Sequence, residues 1–458
     1  METLTLIDRF NLWLKESITI KLLSIGILVL ILLIPTAWIM SIMEERQQRA
    51  EEVVGEVAGK WSGSQVIAGP VLVIPYQKTE KVGTGKDAEV RTVMENAYFL
   101  PATLTVKGEV NPQVLHRGIF DVAVYESTLD IAATFGQPDF ASLGVAPESI
   151  LWDQAKLRAG ISDLRGIVET PSLTMGEKSI PVEPTSNLGY SFYGGSRNRG
   201  DQESNWLSSG VEGSLPMVSA ADVPQSLSMK LALKGSSVIS FLPVGRTTDV
   251  FLKGQWPDPS FDGEFLPNSR LVSEKEFEAT WKVLHFNRPF AQQWLGDGKN
   301  FEKYDVSTRL IIPADQYQKS IRTVKYAILL ILLGFTALFL VEISRKIRIH
   351  PFQYILIGAA LIVYYTLLIS LSEHVGYDLA YVMATAATVT LVTLYARSFL
   401  NDGKMLALFS GLLIFFYLFI FVIIQAQDYS LLLGSTGLFL VIAAIMYFSR
   451  SISWYGEK

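Results

Sequence analysis

Four histidines and no cysteine set narrow limits on the chemistry of this chain. Without cysteine there are no disulfides, thiolate nucleophiles, zinc ribbons or iron–sulfur clusters. His116, His285, His350 and His374 lie far apart, with no second histidine at helical or hairpin spacing, so none reads as a metal ligand. Gly83-Thr84-Gly85-Lys86 has the look of a phosphate loop, but Asp87 follows the lysine where a hydroxyl residue is required, so the segment reads as a turn. No GxSxG elbow and no HExxH helix occurs. Carboxylates are plentiful, but spacing alone pairs none of them across a cleft. The sharpest polar group is Glu373, His374 and Asp378, which lies between two apolar runs. It suits docking of a neighbouring domain or pH sensing through the imidazole, and it equally suits a polar loop at a membrane surface. No catalytic, cofactor or metal site is expected.

The elements around these residues are mostly membrane helices. Charged residues make up 18% of the 458, below the roughly 25% of soluble domains, and most of them fall between Glu44 and Lys325. A hydrocarbon core about 30 Å thick needs about 20 apolar residues. Six segments meet that: Leu22–Met43, Tyr326–Ile343, Tyr354–Leu371, Leu379–Ala396, Met405–Gln425 and Leu431–Phe448. The first is too long for a signal-peptide core and ends in Glu44-Glu45-Arg46 without a cleavage site, so it reads as an anchor. None of the six carries an ionisable Asp, Glu, Lys, Arg or His near its centre; Glu342 lies about one residue from an end. Coupled transport and intramembrane proteolysis both need such groups, so both readings are weakened.

Orientation follows from lysine and arginine in short loops. With residues 1–21 in the cytoplasm, Arg9, Lys15, Lys21, Arg345, Lys346, Arg348, Arg397, Lys404, Arg450 and Lys458 all fall inside. The short outer loops Ser372–Asp378 and Ala426–Ser430 contain no lysine or arginine. Residues 44–325 are then extracytoplasmic, residues 326–448 form a five-helix bundle, and residues 449–458 return to the cytoplasm. A net charge of −5 without a basic block excludes nucleic acid as a partner.

Within 44–325, residues 44–60 read as a charged helical stalk, a solvated collar. Period-two alternation then takes over: Leu227, Met229, Leu231 and Leu233; Phe277, Ala279, Trp281 and Val283; Leu104 and Val106. Val71–Tyr76 and Ile119–Tyr125 are β-branched and aromatic. Such patterns bury one face of an antiparallel sheet and predict a β-rich, sandwich-like domain. Lys78–Arg91 reads as a polar hairpin loop. Pro171–Pro224, rich in Ser, Gly and Pro, reads as an irregular insertion within one domain or as a boundary between two.

Several separated motifs resemble the CreD family of bacterial inner-membrane proteins: Trp61-Ser-Gly-Ser-Gln65 with Gly69-Pro70-Val71-Leu72-Val73-Ile74-Pro75-Tyr76, Arg117-Gly118-Ile119-Phe120 with Val124-Tyr125, and Trp256-Pro257-Asp258-Pro259-Ser260-Phe261 with Gly263 and Phe265-Leu266-Pro267. Lys325-Tyr326, His350-Pro351 with Gln353-Tyr354, and Ser370-Leu371-Ser372-Glu373-His374 extend the likeness over nearly the whole chain. The resemblance implies an inner membrane with the large domain in the periplasm, and a link to cell-envelope integrity, often under the Cre two-component system. It implies no catalytic residues. The expected function is a non-enzymatic envelope protein whose partners are the bilayer and a periplasmic protein, lipid or glycan. A transporter or lipid-handling protein, and an envelope-modifying enzyme, are the alternatives. A reporter active only outside the cytoplasm, fused near residue 200, is expected to be active in cells; activity of a cytoplasmic reporter at that position would overturn the topology.

Overall fold

A computed structural model describes residues 18–82, 89–193, 206–301, 304–312, 315–345, 347–400, 402–426 and 430–450. The glycine-rich Gly83–Lys86 turn and Gly194-Gly195-Ser196 lie outside the described residues. The chain divides into two compact units, Met1–Ala50 with Pro313–Lys458, and Glu51–Ile312.

The first unit is helical. Helix α1 (Ile18–Trp61) contributes its residues up to Ala50. It is joined by α2 (Asp315–Lys325), α3 (Ala327–Arg345), α4 (Pro351–Val375), α5 (Tyr377–Ala396), α6 (Gly403–Gln425) and α7 (Ser430–Ser449). Among the described residues four helices are long and apolar enough to cross a membrane, and a fifth span is reached if α2 and α3, bent by 45° at their junction, count as one. Each of the six apolar stretches is helical. The position of α2 shifts the expected boundary: residues 315–325 belong with the helices rather than with the exposed domain. Their residues Tyr317, Ser320, Thr323 and Val324 are buried, one face of a helix packed on its neighbours. The start of α4 is coded locally. His350 caps it, its Nδ1 accepting from the Phe352 N–H at 3.2 Å, while Gln353 Oε1 accepts from the His350 N–H at 2.9 Å and Pro351 fills the first helical position.

The second unit is β-rich. A nine-stranded and an eight-stranded sheet both feed one hydrophobic core, the first through Val71, Leu72, Leu157 and Ile239, the second through Leu129, Leu231, Val250 and Trp281. The alternating positions read from sequence are the buried ones in Leu227–Ser236 and Phe277–Leu284. Strand Gln65–Val82 organises the larger sheet. It pairs in parallel with Val238–Leu242 and antiparallel with Lys156–Ile161 and Glu89–Phe99. A bulge between Ala68 and Val71 falls at Gly69-Pro70, where proline lacks the N–H that a regular ladder needs. Gly69, at φ +128°, holds a backbone conformation that side-chain-bearing residues rarely adopt, and a Cβ there would lie a tight 3.1 Å from the Arg158 carbonyl oxygen.

Three expectations change. The stalk is not a solvated collar: Val53, Val54, Val57 and Trp61 pack against Leu115, Phe120, Val122 and Val124 of the hairpin Thr103–Arg117/Phe120–Thr134. Those four positions fall on one face of a short helical stretch, too short a stripe to stand out among the charged and polar residues of 44–60. Lys78–Val82 and Glu89–Arg91 are strand, paired Lys78↔Val93 through Val82↔Glu89, so the polar segment is mostly a solvent-facing ribbon. The described residues of Pro171–Pro224 are not irregular: they hold strands Ser172–Met175, Lys178–Ile180, Glu183–Thr185, Tyr190–Tyr193, Trp206–Leu207 and Gly210–Ser214. Strands of two to five residues show too little of a period-two pattern to be recognised from sequence.

The end of α1 is tied to the sheet by a polar node. Gln65 is fully buried, and its Nε2 donates to Ser62 Oγ (2.9 Å), Asp163 O (3.0 Å) and Lys234 O (2.9 Å). Its Oε1 accepts from Ser162 Oγ at 3.1 Å. Asp163 accepts from the Gly63 N–H (3.0 Å) and from the Arg165 guanidinium (2.7 Å), and that guanidinium also donates to Gly59 O. The Arg165 hydrogen bonds, reinforced by the Gly63 N–H, outweigh burial and hold the Asp163 carboxyl down at about 2. A depressed carboxylate stabilises the fold above its unfolded value of about 3.9, and the contribution disappears as pH falls through the folded value. Thermal unfolding of the full chain in detergent is therefore expected to show a lower Tm for Asp163→Asn at pH 7, with the gap closing between pH 4 and pH 2. A gap that stayed constant over that range would rule out this linkage.

Candidate functional site

Glu373, His374 and Asp378 do not converge. Glu373, in the last turn of α4, accepts from the Tyr317 hydroxyl of α2 at 3.3 Å and lies 3.8 Å from the Arg46 guanidinium of α1. Asp378, in the first turn of α5, accepts from Gln425 Nε2 of α6 at 2.5 Å. His374 is exposed and joins neither set among the described residues; a basic group in a last helical turn complements the helix dipole. Neighbours in sequence thus serve as separate ties between different helices. No group of three His, Cys, Asp or Glu able to hold a metal exists among the described residues.

A tighter polar cluster lies elsewhere in the helical unit. Glu342 of α3 is 5% exposed and accepts from Lys21 of α1, from the Ile349 N–H at 3.0 Å and from the Tyr354 hydroxyl of α4 at 2.9 Å. Lys21 also donates to Ile349 O at 3.2 Å. Every carboxylate oxygen has a partner, which is what makes a buried charge tolerable. Three helices and the turn before α4 meet on this one carboxylate.

The β unit contains a cavity of about 430 Å³ lined by Val73, Pro75, Asn96, Asp153, Gln154, Lys156, Arg158 and Ser214. Strand pairing brings these residues together: Pro75 faces Asn96, Val73 faces Lys156, and Lys156 faces Ser214. Glu212 accepts from Lys156 Nζ at 2.6 Å and from Arg158 Nε at 3.0 Å, and Arg158 reaches on to Leu188 O at 3.0 Å. Burial pushes the Glu212 carboxyl up, but the Lys156 hydrogen bond and the Arg158 charge more than offset it, and it stays below the usual carboxylate range. Beside the cavity, Asp297 accepts from Asn96 Nδ2 (3.0 Å) and from the Tyr98 hydroxyl (2.6 Å), and the Tyr98 ring stacks on Trp294 at 4.9 Å. Cations, carboxylate, amides and hydroxyl around one recess on a rigid sheet suit recognition of a polar ligand. None of the lining groups is arranged as a nucleophile with its base.

The chain matches the family described as Inner membrane protein CreD over residues 17–455. It is 31% identical over 444 residues to Inner membrane protein CreD of Escherichia coli (strain K12), a match spanning 96% of this chain and 95% of that protein. The chain belongs to the CreD family. Its helices accord with a family of inner-membrane proteins.

The motifs that carry the CreD likeness fall at structural joints. Trp61-Ser-Gly-Ser-Gln65 is the polar node at the end of α1. Arg117-Gly118-Ile119-Phe120 is a two-residue hairpin turn with Gly118 at φ +64°. Trp256 donates from Nε1 to Ile311 O at 3.0 Å, and Pro259–Gly263 is an edge strand paired with Val306–Leu310. His350-Pro351 and Gln353-Tyr354 build the α4 cap and deliver the Tyr354 hydroxyl to Glu342. Sequence reading placed Glu342 near a helix end but gave it no partners. The signal was available: an acidic residue at the edge of hydrocarbon implies a nearby cation, and Lys21 is the basic residue bordering the first span.

Removing one partner from the Glu342 cluster leaves a buried charge uncompensated. Lys21→Met is expected to lower stability by about 3–5 kcal/mol. The double change Lys21→Met with Glu342→Leu is expected to recover most of that loss, measured by denaturant unfolding of the solubilised chain as a double-mutant cycle. Additive losses in the double variant would show that the two side chains do not interact.

Proposed function

We propose that this CreD-family protein is a non-enzymatic receptor or scaffold of the inner membrane. Its β unit lies on the periplasmic side and holds an envelope component, and six membrane-spanning helices anchor it with both termini in the cytoplasm. The orientation rests on the lysine and arginine distribution of the short loops. The recess around Lys156, Arg158, Asp153 and Asn96 carries the binding reading: opposite charges and neutral hydrogen-bonding groups from several strands of one sheet line one cavity there. Hydrogen bonds of the partly buried Arg158 to Glu212 and Leu188 fix the guanidinium in place, so binding there requires little side-chain ordering. A periplasmic protein segment, lipid headgroup or glycan provides matching hydroxyl, amide and charged groups.

A photo-crosslinking residue placed at Gln154, on the exposed rim, is expected to capture an envelope component in living cells. The same residue at Phe286, exposed on another part of the unit, is expected to capture none. Arg158→Ala is expected to reduce the yield at Gln154 several-fold. Equal capture at both positions, or none at Gln154, would remove the support for this reading.

A further inference from the structure

The middle of the helical unit holds an aromatic cluster that the proposed binding function does not use. Tyr364 and Tyr365 of α4, Tyr381 of α5 and Tyr417 of α6 are all at least 97% buried. The Tyr364 ring meets Tyr417 at 4.7 Å, Tyr365 at 4.9 Å and Tyr381 at 5.8 Å between centroids. Each ring brings a hydroxyl into a region that apolar side chains would fill at lower cost. Tyr381 donates to the Tyr417 carbonyl oxygen at 2.7 Å. The hydroxyls of Tyr365 and Tyr417 have no hydrogen-bond partner among the described residues, while that of Tyr364 lies against the Tyr381 hydroxyl. Thr385, one turn along α5 from Tyr381, is a further buried hydroxyl without one.

A hydroxyl left unpaired in an apolar interior costs roughly 1–3 kcal/mol by mutational measures and more in hydrocarbon. Two of them in one cluster would load this small region, where phenylalanine would pack as well. One unpaired hydroxyl is an ordinary irregularity; two on rings that both pack on Tyr364 point to a shared ligand. The set contains no Asp, Glu, Lys, Arg or His, so it suits a neutral group that both donates and accepts. Water fits, because a buried water is held by about three hydrogen bonds and tyrosine and threonine hydroxyls serve in either role. Toward α2, the cluster continues through Tyr377, whose ring lies 5.8 Å from that of Tyr381 and whose hydroxyl shares a 2.6 Å hydrogen bond with Thr323.

We infer that Tyr365 and Tyr417, with Tyr364 and Tyr381 beside them, line an internal water site between α4, α5 and α6, an uncharged polar interior within the membrane-spanning helices. The site is independent of the recess in the β unit.

Synchrotron hydroxyl-radical footprinting of the full chain in lipid nanodiscs tests this, since radicals made from bound water oxidise the aromatic rings beside it. Tyr364, Tyr365 and Tyr417 are expected to be oxidised at least ~10-fold faster than Phe335 and Phe409, which are equally buried in the same unit and have no hydroxyl of their own. Tyr417→Phe supplies a second readout that depends on sign. If the hydroxyl is bonded to water, its loss lowers the Tm; if it is dry, removing an unpaired polar atom raises it. Tyrosine oxidation no faster than that of the two phenylalanines, or a raised Tm for Tyr417→Phe, would overturn the inference.

Discussion

Gln65 donates from one amide nitrogen to three oxygens contributed by Ser62, Asp163 and Lys234, and this hydrogen-bonded node sets the geometry of the β unit. These three partners belong to the exit from α1, the turn after strand Lys156–Ile161, and strand Leu227–Ser236 of the other sheet. A buried amide is costly unless satisfied, and here both its oxygen and its nitrogen are. The node therefore fixes where the helix stops, where the first strand starts, and how the two sheets meet at that end. Gly166 completes it, since a side chain there would run into Gln65, Ser62 and the Lys234 carbonyl.

The helical unit follows the same principle with a charge in place of an amide. Glu342 gathers α1, α3, α4 and the Ile349 N–H through a fully occupied carboxylate. At the other ends of these helices, Glu373 and Asp378 tie α1, α2 and α6 to the α4–α5 corner. Ionisable groups in this unit act as fasteners between helices, and this is why a sequence search for chemistry finds isolated charges without a constellation.

Legibility in the sequence tracked the length of the signal. Apolar stretches of about 20 residues, and strands such as Leu227–Ser236 with four alternating core positions, were readable because many residues repeat one physical demand. Val53, Val54, Val57 and Trp61 were missed because a two-turn apolar stripe is diluted by Glu51, Glu52 and Glu56. The strands of Pro171–Pro224 were missed because Glu183–Thr185 or Trp206–Leu207 complete no period. The recess at Lys156 and Arg158 was invisible for another reason: its lining comes from residues 73 to 214, and only strand order brings them together. Among the polar residues read from the sequence, Glu373 contacts α1 and α2 while Asp378 contacts α6.

Strand Gln65–Val82 is the first strand of the β unit, and its pairing with the parallel neighbour Val238–Leu242 starts with Ile239 opposite Gln65. Parallel neighbours cannot be joined by a tight turn, and here the connection is most of the domain. A nascent chain grows at about 5–20 residues per second, so Gln65 waits on the order of ten to thirty seconds before Ile239 exists. Strand Val306–Leu310, which flanks Val238–Leu242 on its far side, comes later still. The centre of the larger sheet thus closes late in synthesis, and until then Gln65–Ala68 has one unpaired edge, whereas Leu72–Val82 is paired early by Glu89–Phe99. Native stability leaves that interval unprotected, so the yield of this protein in the cell depends on how the unfinished edge is shielded while the chain is still arriving.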